Sequence, residues 1–234
     1  MKVFHVAGIA LISACLMIGQ TSCSSMTNTG KGALIGGGGG TALGAGLGAL
    51  IGGGKGAGIG AAIGAAVGAG AGALIGNKMD KQQKELQAQL ADQAKVEEVK
   101  DQNGLQAIKV TFDGGILFPT NGVTLSQHAQ QDLSSFAKNI IQNPGTDVQV
   151  FGFTDNTGTY QVNERVATGR ADAVMTYLVN SGVSPTRIRA QGVPMADYVA
   201  SNDTAAGRAQ NRRVEVYITA SQQMIQQAEN GTLQ

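Results

Sequence analysis

The stretch Val148–Val174, VQVFGFTDNTGTYQVNERVATGRADAV, decides how the rest of the chain is read. Its opening apolar run, Val148, Val150, Phe151 and Phe153, predicts a buried strand. The cluster Thr154-Asp155-Asn156-Thr157-Gly158 is turn-forming, and a helical pattern follows it. On that helix Val162, Val166, Val174, Tyr177 and Leu178 recur at spacings of three and four and define one face. Arg170 falls on the same face. A guanidinium cannot give up its charge and is costly to bury unpaired, so Arg170 requires an anion. Asp155, at the end of the strand, is the nearest in sequence. The stretch thus predicts a small ionic site where strand hands over to helix.

Outward from this stretch the pattern is that of one α+β domain over residues 96–219. Upstream, Ile108, Val110 and Phe112 alternate as in a half-buried strand, paired with Val96–Lys100 across an Asn103-Gly104 hairpin signal. A loop with Phe118-Pro119 follows. Leu125, Ala129, Leu133, Phe136, Ala137, Ile140 and Ile141 then keep helical spacing until Asn143-Pro144-Gly145 stops them. Downstream, Ser181-Gly182 closes the Arg170 helix, and Ser184-Pro185 prevents its continuation. Ile188–Gln191 is a short strand, 192–211 reads as an irregular polar segment, and Val214, Val216 and Ile218 alternate in the last strand. The order β-β-α-β-α-β-loop-β predicts a sandwich with helices on one face of a mixed sheet. Residues 220–234 read as a polar, Gln-rich tail.

The N-terminal part is of another kind. Glycine, 35 residues in all, occupies every fourth position from Gly32 to Gly76. Each glycine costs a helix in water about 1 kcal/mol relative to alanine. In lipid the backbone must satisfy itself, and stacked glycines let helices approach closely. Each half of the array, as a helix, would be about 31 Å long, close to a hydrocarbon core. The expectation for 32–76 is therefore a membrane-inserted helical hairpin turning at Lys55, with a flexible Gly/Ala linker as the bland alternative. Residues 77–95 are polar and helix-favouring, with Met79, Leu86 and Leu90 as a thin apolar stripe, and read as a solvated spacer. Residues 1–22 read as a secretory signal. Thr21-Ser22-Cys23-Ser24 resembles a bacterial lipobox, which makes Cys23 the expected lipidation site and 23–31 a short linker. Ile12-Ser13-Ala14-Cys15 fits that box better but leaves a very short leader. Acyl chains on Cys23 would anchor the chain to a bilayer.

Composition sets limits on function. A formal charge of +1 gives no electrostatic basis for binding nucleic acid. Two cysteines, one of them in the leader, and two histidines suggest neither a structural disulfide nor a metal site. No cofactor motif is present. No paired carboxylates or Ser/His set accompany Asp155, so the reading is of a binding protein rather than an enzyme.

The motifs GFTDNTG, NERVATGRADAV and GRAQNRRVEV, in this order and spacing, resemble those of the OmpA-like peptidoglycan-binding domain. The resemblance covers about residues 105–219. It implies that the domain binds the meso-diaminopimelate of peptidoglycan, with Asp155 receiving the ammonium and Arg170 the carboxylate. Asn163 matches the helix asparagine of the motif, and Thr154, Asn156, Phe118 and Arg213 match pocket-lining positions. Arg212, Arg213 and Glu215 also read as a charged edge of the last strand, with Arg213 open between the two roles. Phe153 stands where a histidine is frequent in the family. The layout implies a lipid-anchored outer-membrane protein with its globular domain facing the periplasm, tethered to the cell wall. The competing expectation makes the glycine array the functional part, a homo-oligomeric pore or assembly device that the C-terminal domain merely localises.

Overall fold

The alternating apolar residues of β2 (Gln106–Asp113) and β5 (Arg213–Ala220) meet across one antiparallel ladder, Ile108, Val110 and Phe112 opposite Ile218, Val216 and Val214. They are the centre of a five-stranded sheet in the order β1-β2-β5-β3-β4, with β1 Ala94–Lys100, β3 Thr146–Phe153 and β4 Ile188–Val193. The structure, a computed structural model, describes residues 67–101, 103–119 and 122–234. The signal, Cys15, Cys23 and the glycine array up to residue 66 lie outside the described residues. Only β3 and β4 run parallel, and α4 (Tyr160–Asn180) is the crossover that such a pair needs.

The α+β expectation holds, with the large helices on one face of a mixed sheet. On that face α3 (Gln127–Gln142) contributes Leu133, Phe136 and Ile140, and α4 contributes Ala171, Val174 and Leu178. The Phe112 and Phe136 rings meet edge to face at 6.0 Å. On the opposite face Phe151, Phe153 and Val193 form a smaller cluster. One glycine sets the position of α4. A Cβ on Gly152 would strike the Ala167 carbonyl oxygen, so its absence lets the helix lie directly on β3.

The structure corrects the sequence reading in several places. Residues 77–95 are not a solvated stalk: α1 (Ala69–Gln89) packs on the domain, and Ala71, Ile75, Met79, Gln82, Leu86 and Leu90 are all buried. The stripe looked thin because its first members belong to the glycine array and a glutamine stands in its middle. The Gln82 amide donates to Asn139 Oδ1 at 3.0 Å, which satisfies that polar group inside the core. The last glycine repeats, Gly68, Gly72 and Gly76, thus flank or lie within the start of a helix packed on the domain. The tail carries α6 (Gln222–Glu229), which buries Met224, Ile225 and Ala228. The loop after β2 contains α2 (Gly114–Leu117), capped by the Asp113 carboxylate. The polar segment before β5 contains α5 (Ala205–Asn211), capped by Thr204. On α4, Val162 is 46% exposed. Arg170, Val174 and Leu178 are buried as expected, but the rest of the buried face is Asn163, Ala167 and Ala171, because the close approach at Gly152 selects small residues beside Ala167.

Among the described residues no helix is long and apolar enough to cross a membrane. The path of α1 gives the domain two distinct ends. Its middle, at Lys78 and Gln82, lies beside Gly145, Thr146 and Met224, where β3 begins and β5 ends. Its last residues lead into Ala94, paired with Phe112 at the far end of β2. Asp155 and Arg212 lie at that far end, just after β3 and just before β5.

Candidate functional site

Immediately after β3 the chain makes a tight, internally bonded turn. The Asp155 carboxylate accepts a hydrogen bond from the Thr157 N–H at 2.8 Å. Gly158 has φ +89°, a conformation suited to glycine. Thr159 caps α4, its hydroxyl accepting from the Val162 N–H. The Asn163 amide donates to the carbonyls of Thr157 and Thr159 at 2.8 and 3.0 Å. The asparagine therefore fixes the turn to the helix, and the turn fixes Asp155.

Asp155 is only 6% exposed. Its Oδ2 accepts from Arg212 Nη1 at 2.6 Å. Burial pushes the carboxyl pKa up, but the hydrogen bonds from Arg212 and Thr157 and the charge of Arg212 outweigh this. They hold it below the usual carboxylate value. Arg212, not Arg170, is its direct partner, which corrects the expected pairing.

Arg170 is 4% exposed. Its Nε donates to the Gly122 carbonyl at 3.1 Å, and its guanidinium carbon lies 5.2 Å from the centre of the Phe118 ring. Among the described residues no carboxylate comes within 4.0 Å of it, and none accepts a hydrogen bond from Nη1 or Nη2. Burial and the neighbouring Arg212 charge lower its pKa, and Asp155 opposes them. Arg187, a half-buried arginine, is a useful contrast. It donates to the carbonyls of Ile140, Asn143 and Thr146 and to the Thr146 hydroxyl. Arg187 is a saturated structural cation, whereas the distal nitrogens of Arg170 have no acceptor among the described residues.

Of the other predicted residues, Phe118 is buried against Arg170. The Thr154 hydroxyl accepts from the Met195 N–H at 3.0 Å and anchors the loop after β4. Exposed Asn156 donates its backbone N–H to Asn202 Oδ1 at 3.3 Å. Asn202 in turn accepts from the Asn211 amide, which also holds Val199 and Ala200. The segment before β5 is thus bonded to the Asp155 turn.

Arg213 is not brought to this place. It lies on the opposite face of the sheet, with Nε on Glu215 Oε1 at 2.6 Å, Nη2 on the Asp197 carbonyl and its guanidinium 3.9 Å from the Phe153 ring centre. Phe153, in the position where the family often has histidine, is the platform for this arginine. Sequence reasoning missed Arg212, although the signal was present. With Val214, Val216 and Ile218 pointing to the helices, strand alternation sends Arg212 to the helix face and Arg213 away from it. Among the described residues no cluster of side chains could hold a metal ion.

What this arrangement offers is one carboxylate and two guanidiniums at a strand–helix junction, with a guanidinium edge that has no acceptor among the described residues. It has the means to recognise charge, and among the described residues no nucleophile stands beside a base there.

Comparison with known proteins agrees with this geometry. Residues 117–212 match the model of the OmpA family, and residues 39–83 match that of the glycine zipper. The C-terminal domain thus resembles the OmpA family, and the segment before it resembles the glycine zipper. The probable lipoprotein YiaD of Escherichia coli is 38% identical over 112 residues, 48% of this chain and 51% of that protein. The peptidoglycan-binding protein ArfA of Mycobacterium tuberculosis is 36% identical over 112 residues, 48% of this chain and 34% of that protein. Both matches span about half or less of the relative's length. Among solved structures, the cell wall anchor of the type VI secretion system from Pseudomonas aeruginosa superposes with a TM-score of 0.51 at 29% identity. That match covers 58% of this chain and 97% of the other.

Proposed function

We propose that the domain binds peptidoglycan non-covalently by the free amine and carboxylate at one end of its meso-diaminopimelate. The observation that carries this reading is the buried Arg170, whose distal nitrogens have no acceptor among the described residues. A cation kept at such a cost in a folded protein calls for an anion from outside. A planar guanidinium edge suits a carboxylate, which it can take with two parallel hydrogen bonds. The first turn of α4 adds free N–H groups and a positive dipole end. Asp155, held ionised by Arg212, retains acceptor capacity for the ligand ammonium. Asn163 and Thr154 hold the turn, Phe118 packs under Arg170, and Asn156 borders the site.

Two guanidiniums against one carboxylate leave the Asp155, Arg170 and Arg212 cluster positive by one charge. A diaminopimelate that ends its stem peptide carries a second carboxylate, and Arg212, with a side chain 41% exposed, is the group to receive it. No bond is made or broken, and the protein acts by retention.

The relatives' names support a structural role at the cell envelope: one is a probable lipoprotein, one binds peptidoglycan and one is a cell wall anchor. We propose that Cys23 carries lipid and that the chain tethers the outer membrane to the wall. The opposed ends of the domain suit this, since Gly76, the last glycine of the array, lies beside Gln106 at one end and Asp155 lies at the other. The test is retention on isolated peptidoglycan of the wild type, Asp155→Ala and Arg170→Ala. The wild type should sediment with the wall and both variants should stay in solution. Equal retention of all three would refute the reading.

A further inference from the structure

On the sheet face away from α3 and α4, the structure has a groove of about 620 Å³ at the same end as Asp155. We infer that this groove is a glycan subsite, taking the amino-sugar chain to which the bound stem peptide is attached. The inference rests on the diaminopimelate reading and adds a second contact to it.

Three observations lead there. The first is rigidity. The Arg213 and Glu215 side chains of the wall are tied to each other at 2.6 Å, and Glu215 also accepts from the Tyr217 hydroxyl at 2.8 Å. Lys109 is held by Glu97 at 3.3 Å, and Lys95 pairs with the same carboxylate at 2.8 Å. The Arg213–Glu215–Tyr217 wall is therefore set in place before any ligand arrives.

The second is chemistry. The lining places Lys95, Lys109 and Arg213 against Asp92, Glu97, Asp113 and Glu215, with Thr111, Gln93 and Gln210 between them. Charges of both signs nearly cancel. Such a surface would repel neither charge and attract neither strongly, so a polyanion gains little from it. It is dense in hydrogen-bond donors and acceptors, with only the small apolar side chains of Ala91, Ala94 and Val199 among them. A neutral chain of hydroxyl and acetamido groups is the ligand class that such a lining satisfies.

The third is reach. Arg212, which grips Asp155, and Arg213, which lines the groove, are consecutive residues pointing to opposite faces of one sheet end. The two places are separated by roughly the thickness of a sheet with its side chains, on the order of 10 Å. The short stem that joins diaminopimelate to its sugar spans about the same distance at about 3.3–3.6 Å per residue. A stem held at Arg170 would bring its glycan over the edge formed by Asp113 and Arg213.

The experiment compares three probes by calorimetry on the folded protein: a free stem tripeptide ending in diaminopimelate, the same tripeptide on its disaccharide, and a peptide-free amino-sugar oligomer. The variants are Lys109→Ala with Gln210→Ala, which removes two donors, and Thr111→Tyr, which fills the groove. Wild type should bind the disaccharide-tripeptide on the order of tenfold more tightly than the free stem. Both variants should lose that gain while binding the free stem as before, which also shows that they are folded. Equal wild-type affinity for the two stem ligands, or variants that keep the gain, would overturn the glycan subsite and leave the Arg170 reading standing. Failure of the free stem to bind would instead refute the Arg170 reading. The oligomer would then decide the groove: binding lost in both variants supports it, and no binding overturns it.

Discussion

Replacing Arg170 with methionine should separate stability from function in this domain. In the free protein the guanidinium is 4% exposed and keeps one backbone hydrogen bond, to Gly122, and one aromatic contact, to Phe118. A hydrogen bond from a charged donor contributes about 1.5–3 kcal/mol, and a largely desolvated cation–π contact about 2 kcal/mol. Against these stands the desolvation of a cation without a nearby carboxylate, which costs several kcal/mol. Methionine is unbranched, flexible and needs no partner. The terms nearly cancel, so Arg170→Met should leave the unfolding free energy within about 1 kcal/mol of wild type or raise it. Binding should respond very differently. Two charge-assisted hydrogen bonds to the ligand carboxylate vanish, about 3–6 kcal/mol together, so affinity for a diaminopimelate stem should fall at least 100-fold. Urea unfolding and calorimetry on the same preparation measure both. A variant destabilised by more than about 3 kcal/mol would mark Arg170 as a structural cation like Arg187, and undiminished affinity would remove it from the site.

Arg187→Met should do the reverse, costing about 3–5 kcal/mol because several carbonyls lose their donor, with stem affinity unchanged in the folded fraction. Leu86→Ala should cost about 2–5 kcal/mol in a chain beginning at residue 67, since Leu86 is fully buried; a surface-like change below about 0.5 kcal/mol would show α1 detached from the domain. Gly152→Ala should destabilise by about 2 kcal/mol or more and weaken stem binding too, because the new Cβ pushes α4 off β3 and moves Arg170; a neutral outcome in urea unfolding would contradict that contact. The pH dependence follows from Asp155. Its folded pKa is lowered, so its ion pair with Arg212 stabilises the domain above the unfolded value near 4 and is lost as pH falls through the folded value. Stem affinity should be flat from about pH 8 to 5 and fall only below about pH 4. A midpoint near neutrality in a calorimetric pH series would assign the binding charge to another group.

The parts legible in the sequence were those with a strong local period or a dense motif. The alternation of Ile108-Val110-Phe112 and Val214-Val216-Ile218 and the spacing of Leu133-Phe136-Ile140 specify the sheet and its helix without tertiary help. Asp155 and Arg170 were also legible, because an ionisable residue on an apolar face is conspicuous. What failed to show was burial by small or polar residues. Ala167 and Ala171 form the true inner face of α4, and the valines drew attention from them. Gln82 sits in the core because Asn139 meets it, a partner 57 residues away. The partner of Asp155 is likewise 57 residues distant, at Arg212. Such pairings are set by tertiary geometry, and only strand parity in β5 hinted which of two adjacent arginines would turn inward.

Two stem tripeptides that differ only in the third residue, diaminopimelate in one and lysine in the other, put the central claim to its most direct test. Lysine keeps an amine at its side-chain end but lacks the carboxylate that Arg170 is held to receive. Calorimetry should give binding to the diaminopimelate stem and at least 100-fold weaker binding to the lysine stem. Equal affinities would mean that the Arg170 guanidinium reads no carboxylate.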